Sequence, residues 1–222
     1  MADYINKNIL CQAYVHVEPE EITDGLLEGI EAHLKDFVRS RAEFFLYPDP
    51  DVEIELKDGS IKLYATIMGT ITTLFAGVAN YPEFREGAIQ IYEDVRRLSD
   101  YIASESLFST RARHDQVIRV EARTGVVGSV RKIVGEIDTV KTMNGTVYAD
   151  RLANKLAQCK EDILKLMDNL RSDEDRVLVK KGFQELLEAL PNTPTPPPRK
   201  QNPPDHVFSY RNELKALTKL VE

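Results

Sequence analysis

Between Arg111 and Lys132 the chain carries Arg111, Arg113, Arg119, Arg123, Arg131 and Lys132 against only Asp115 and Glu121. That segment has a net charge of +4, which leaves −11 for the rest of a chain whose total is −7. Clustered guanidinium and ammonium groups bind phosphate, anionic lipid heads or acidic partners. Inside the segment, Arg123-Thr124-Gly125-Val126-Val127-Gly128-Ser129 puts glycines where backbone N–H groups can approach an anion at a helix start. The run lacks the spacing and the Lys-Ser/Thr pair of a phosphate loop. The candidate anion- or partner-binding set is Arg119, Arg123, Gly125, Gly128, Arg131 and Lys132, with Arg123 foremost. The competing reading is a solvated helix face paired with the acidic first helix, its glycines serving close packing.

Other reactive side chains do not assemble into a set. His16, His33, His114 and His206 are scattered, and no Ser-His-Asp or Cys-His arrangement can be built from their spacing. Cys159 occupies an apolar helical position, which predicts a core thiol and not a reactive one. Asp49, Asp51, Glu53 and Glu55 do not match a calcium loop, because alternation puts the two glutamates on a strand's outer face. No catalytic residue is assigned, no metal or other cofactor is expected, and the balance leans away from an enzyme. Pro194-Thr195-Pro196-Pro197-Pro198-Arg199 fits the P-x-x-P-x-R pattern of polyproline ligands but also serves as a stiff spacer.

The elements that must hold these residues are legible from periodicity. Residues 9–17 alternate as a strand, and Pro19 with nearby acids opens a helix carrying Ile22, Leu26, Ile30, Leu34, Phe37 and Val38 inward. Val52–Lys57 and Ile61–Ala65 alternate on either side of Asp58-Gly59, a hairpin signal. A two-residue turn there pairs Leu56 with Ile61, Ile54 with Leu63, and Glu55 with Lys62. From Leu63 to Pro82 the chain runs 20 residues without a charge. That is long enough for a membrane span, but Thr66, Thr70, Thr72, Thr73, Asn80 and Pro82 dilute it. The hairpin takes its first part, leaving a buried helix from about Met68 to Asn80.

Three further segments show alternating four- and three-residue apolar spacing: from Phe84 to Ile102, from Val117 to Ile137, and from Leu152 to Leu170. Asn144-Gly145 marks a turn, and Ser172 caps a last helix bearing Val179, Phe183, Leu186, Leu187 and Leu190. The expected fold class is α+β and predominantly helical. A small strand-helix-hairpin sheet spans 1–67, and an antiparallel helical bundle spans 68–190. Seven prolines in 191–204 then form a linker, and an amphipathic helix covers 205–222. A helix on such a tether must bury its apolar side on the bundle or on another chain. Leu214, Leu217 and Leu220 are the expected assembly residues on a neighbouring subunit.

The acidic balance, with pI near 5.3, argues against general nucleic-acid binding. Two cysteines and an N-terminus without a signal-peptide pattern point to the cytoplasm. The layout of hairpin, apolar helix and basic helical region resembles accessory or effector subunits of bacterial defence systems, a likeness that transfers no site residues. Together these features predict a non-enzymatic interaction protein that binds itself, most simply as a homodimer, or another protein. The alternatives are a membrane-associated effector inserting residues 63–82 and an enzyme whose residues meet only in the fold.

Overall fold

The structure, a computed structural model, describes residues 8–19, 24–57, 60–77 and 83–222. The chain is α+β and predominantly helical. It divides into two compact units, residues 1–82 with 89–128, and residues 83–88 with 129–222.

The first unit is built on a four-stranded antiparallel sheet of order β2-β3-β1-β4. Its strands are β1 (Ile9–Val17), β2 (Asp51–Lys57), β3 (Ile61–Met68) and β4 (Val117–Arg123). Alternation sorts the side chains. Cys11, Ala13, Val15 and Val17 share one face with Ile61, Leu63, Ala65 and Ile67, and all are buried. Helix α1 (Asp24–Phe45) lies against β2 and β3 on the stripe Ile30, Leu34, Val38 and Ala42. The opening of α1 at Pro19 and Ile22 falls on residues 20–23, outside the described residues. Helix α3 (Phe84–Ser109) buries Ile91, Val95, Leu98 and Ile102, the spacing expected of it. It meets the sheet through Ser99, whose hydroxyl hydrogen-bonds Cys11 and also donates to the Arg123 carbonyl at 3.1 Å.

Three expectations change here. The hairpin pairs Leu56 with Leu63, Ile54 with Ala65 and Glu55 with Tyr64, a register two residues from the one expected. A slip of two keeps each side chain on its face, so the apolar pattern cannot tell the registers apart. Glu55 therefore does not meet Lys62; it pairs with Lys57 on its own strand at 3.2 Å. The turn at Asp58-Gly59 lies outside the described residues.

The charge-free run is divided between β3 and a short helix, α2 (Ile71–Gly77), with Ile71 and Leu74 buried. Residues 78–82 lie outside the described residues, and no described helix is long and apolar enough to cross a membrane.

The largest change is β4, where residues 117–123 form the sheet's fourth strand and not the start of a helix. The residues Val117, Val120 and Thr124 fit helical spacing, but Ile118–Arg123 also alternates strictly between small or apolar and charged residues. Pairing with β1 decides in favour of the strand.

The second unit is an antiparallel helical bundle. Its helices are α4 (Gly125–Met143, from Ser129 on), α5 (Ala149–Asn169), α6 (Asp173–Glu188) and α7 (Pro204–Val221). Leu152, Leu156, Cys159, Ile163, Leu166 and Leu170 are all buried, as their spacing requires. Ser172 caps α6, its hydroxyl accepting from the Asp175 N–H. Phe84 packs edge-on against Phe183, and Arg85 grips both oxygens of Asp138 at 2.9–3.0 Å through Nε.

The proline-rich segment is strapped down. Thr195 N–H donates to Asn144 Oδ1 at 2.8 Å, and Gly145 N–H donates to the Thr195 carbonyl at 3.1 Å. Tyr210 and Arg211 in α7 donate to the carbonyls of Pro191 and Asn192. Helix α7 thus returns along α5 and α6 of its own chain and buries Tyr210, Leu214, Leu217 and Val221 there.

Candidate functional site

Two members of the basic set, Arg119 and the foremost candidate Arg123, sit on β4, and the strand's two-residue period fixes their neighbours. Arg119, Glu121 and Arg123 point to one face, opposite His16, Tyr14 and Gln12 of β1. Glu121 is shared: both Arg119 and Arg123 form ion pairs with it. Burial raises the Glu121 pKa, but hydrogen bonds and charge from Arg123 and Arg119 outweigh it and leave the carboxyl below its ordinary value. Arg123 also donates to Gln12 Oε1 at 2.7 Å and lies over the Tyr14 ring at 5.2 Å. Gln12 in turn donates to Thr66 Oγ1 at 2.9 Å, and Tyr14 packs against Tyr64. Arg123 is therefore a built-in part of the sheet's polar face, held by a carboxylate, an amide and an aromatic ring. This arrangement stiffens β4; it does not aim the guanidinium at solvent.

On the other face, β4 continues the apolar side of the sheet: Val120 stands opposite Val15, and Ala122 opposite Ala13. Those β1 residues are fully buried, whereas Val120 is 41% exposed and Ile118 52%. A register shift between His16 and Val17 leaves Ile118 opposite no residue of β1. Among the described residues β1 is the sole strand that β4 pairs with, so β4 is an edge of the sheet that presents backbone polar groups as well as apolar side chains. The helical spacing that the same residues satisfy hides it from sequence reasoning.

The remaining members of the basic set serve packing or local pairing. Gly125 has φ +48°, and a Cβ there would lie 1.9 Å from the Ile9 carbonyl oxygen, so the glycine lets α4 start tight against β1. At Gly128 a Cβ would strike the Thr124 hydroxyl. Arg131 runs along its own helix past Gly135. Lys132 donates to Asp162 at 2.6 Å across α4 and α5 and lies 3.7 Å from Glu136. Arg119, Arg123 and the two glycines thus fall in the first unit, and Arg131 and Lys132 in the second.

Around Lys132 the second unit holds its own cluster of titrating groups. Burial raises the Glu136 pKa, and the nearby Asp162 charge adds to the rise. Asp162 is also pushed up by burial, but hydrogen bonds from Lys132 and Glu136 bring it below its ordinary value. Cys159 stands close by, and burial together with the Glu136 charge pushes its thiol up to about 12. Cys11 is likewise raised to about 12 by burial. Neither thiol is ionised near neutrality, so neither is a nucleophile there.

A cleft of about 440 Å³ between α1 and α3 holds His33, hydrogen-bonded to Glu105 at 2.7 Å, with Phe108 and Arg111 beside them. Of the expected assembly residues, Leu214 and Leu217 are buried in the chain's own bundle, and Leu220 is half-buried. No family model matches the sequence, and no solved structure matches the fold.

Proposed function

We propose that this chain is a non-enzymatic interaction and assembly component that works as a homo-oligomer, most simply a dimer. One observation carries the reading: the sheet of the first unit ends on β4, an edge with Val120 and Ile118 in solvent. A strand edge with exposed apolar side chains is a template for pairing with another chain, and monomers ordinarily blunt such edges with Pro, charged side chains, a bulge or a cover. Residues 117–123 contain no Pro, and the charges they carry, Arg119, Glu121 and Arg123, are of alternating sign and so able to pair with a second strand. The location of α7 also supports this choice of surface, because burying Leu214 and Leu217 in the chain's own bundle leaves them unavailable to a neighbour. The two free, buried cysteines accord with a reducing compartment, and we place the protein in the cytoplasm on that ground. Light scattering over a concentration series tests the reading. The expected mass is a multiple of 25.2 kDa, and a single 25.2 kDa species at high micromolar concentration overturns it.

A further inference from the structure

The sequence of β4 is self-complementary. Reading outward from Val120, the chain meets Arg119 on one side and Glu121 on the other, then Ile118 and Ala122, then Val117 and Arg123. We propose that the partner of this edge is the β4 strand of a second copy, antiparallel and centred on Val120, joining two four-stranded sheets into one of eight. The proposal rests on the homo-oligomer reading above and specifies its interface and register.

Two copies of one strand that pair side by side in an antiparallel sheet are related by a two-fold axis perpendicular to that sheet. Such an axis keeps each side chain on its own face, so one residue must lie opposite its own copy. Centring on Arg119 puts two guanidinium groups together. Centring on Glu121 puts two carboxylates together and Arg119 against Arg123. Like charges directly opposite are destabilising.

Centring on Val120 places Arg119 opposite Glu121 of the second copy, and Glu121 opposite its Arg119. On the other face Val120 meets Val120, and Ile118 meets Ala122. Residues 118–122 then find counterparts, with the register shift beside Val117 left at the end of the pairing. Centring on Ala122 also opposes Glu121 and Arg123, but it overlaps only the last three residues of the strand.

The intrachain geometry is compatible with this pairing. Arg119 is 62% exposed while bound to Glu121, so its guanidinium can bridge to a second carboxylate without leaving the first. A carboxylate has lone pairs for several donors, so Glu121 can keep Arg123 and accept from the facing copy. The pairing would cover Val120 and Ile118, the two apolar side chains the edge leaves in water.

Complementary charge reversal tests the register. Arg119→Glu alone sets a new carboxylate opposite Glu121 at both symmetric positions. Glu121→Arg alone sets a new guanidinium opposite Arg119 in the same way. Each is expected to weaken self-association by about tenfold or more. In a mixed dimer of the two variants, the two new side chains, one from each copy, face each other as an ion pair at one symmetric position. The other position then joins the native Arg119 of one copy to the native Glu121 of its partner. An equimolar mixture should therefore recover the wild-type mass in sedimentation. Val120→Cys gives a second measurement that does not alter the charges. Antiparallel Cα separations of about 4.5–5.5 Å fall within disulfide range, so mild oxidation should produce a covalent dimer. Cys11 and Cys159 are fully buried and do not compete.

A monomeric wild type overturns the homo-oligomer reading and this interface with it. A dimeric wild type whose Val120→Cys form yields no cross-link overturns the interface alone. So does a mixture that associates no better than the separate variants.

Discussion

Gly125 shows how a residue suggestive of ligand binding is spent on geometry. Its positive φ and the Ile9 carbonyl directly above it leave no room for a side chain. Gly125→Ala is expected to cost about 3 kcal/mol in denaturant unfolding, through backbone strain and a clash that cannot relax. Glu136 carries the opposite kind of prediction. Its folded-state pKa lies above the ordinary carboxyl value, from burial and then from Asp162. Stability is therefore greatest when Glu136 is protonated in both states and is lost as pH rises through the raised pKa. Glu136→Gln keeps the shape and donates to Asp162 without ionising, so it should stabilise the chain at neutral pH by about 1 kcal/mol. The gain should shrink below the raised pKa and vanish below about pH 4, where the unfolded carboxyl is also protonated. Thermal melts at pH 4 and pH 7 give both ends of that window, and an equal effect at both would remove Glu136 ionisation as the cause. The partner of Arg119 and Arg123 is hidden in the sequence for a related reason. Glu121 lies two residues from each. On a helix that spacing points side chains apart, and on a strand it puts them on one face.

At the scale of elements, hydrophobic period identifies most of the fold but leaves its ambiguities where two periods coincide. Residues 84–102 and 152–170 carry only the helical spacing, and they are helices. Residues 117–123 satisfy both spacings, and long-range pairing with β1 decides between them. The hairpin register is not legible either, because a two-residue slip preserves every face. Contacts distant in sequence account for the rest. Helix α5 starts after Tyr148, which provides no side-chain cap. Asn202, 53 residues away, accepts from the Ala149 N–H at 3.1 Å and donates to the Pro194 carbonyl at 3.0 Å. No local pattern announces such a cap. Asn202→Ala should cost about 1–2 kcal/mol, since one helix-start donor and one carbonyl lose their partner together. Amide exchange at Ala149 should rise in the variant, and unchanged protection there would show that the strap does not cap the helix.

For the whole molecule, the open question is which apolar surface closes within the chain and which closes against another. The proline segment has the reach to hand α7 to a neighbour, yet its carbonyls and Thr195 are tied to the Asn144-Gly145 turn and to α7 itself. Leu217 is fully buried against the same chain. Leu217→Ala should therefore behave as an ordinary core truncation, costing about 2–5 kcal/mol. The informative background is Arg119→Glu, in which the proposed sheet interface is broken. If α7 packs within its own chain, Leu217→Ala lowers the stability of that monomer as much as it lowers the wild type. Its effect on the monomer is then independent of protein concentration. If α7 is exchanged between subunits, Arg119→Glu stays dimeric and Leu217→Ala dissociates it. Denaturant unfolding of the single and double variants at two protein concentrations, with sedimentation of each, separates these outcomes. A dimer dissolved by Leu217→Ala would move the assembly surface from β4 to α7.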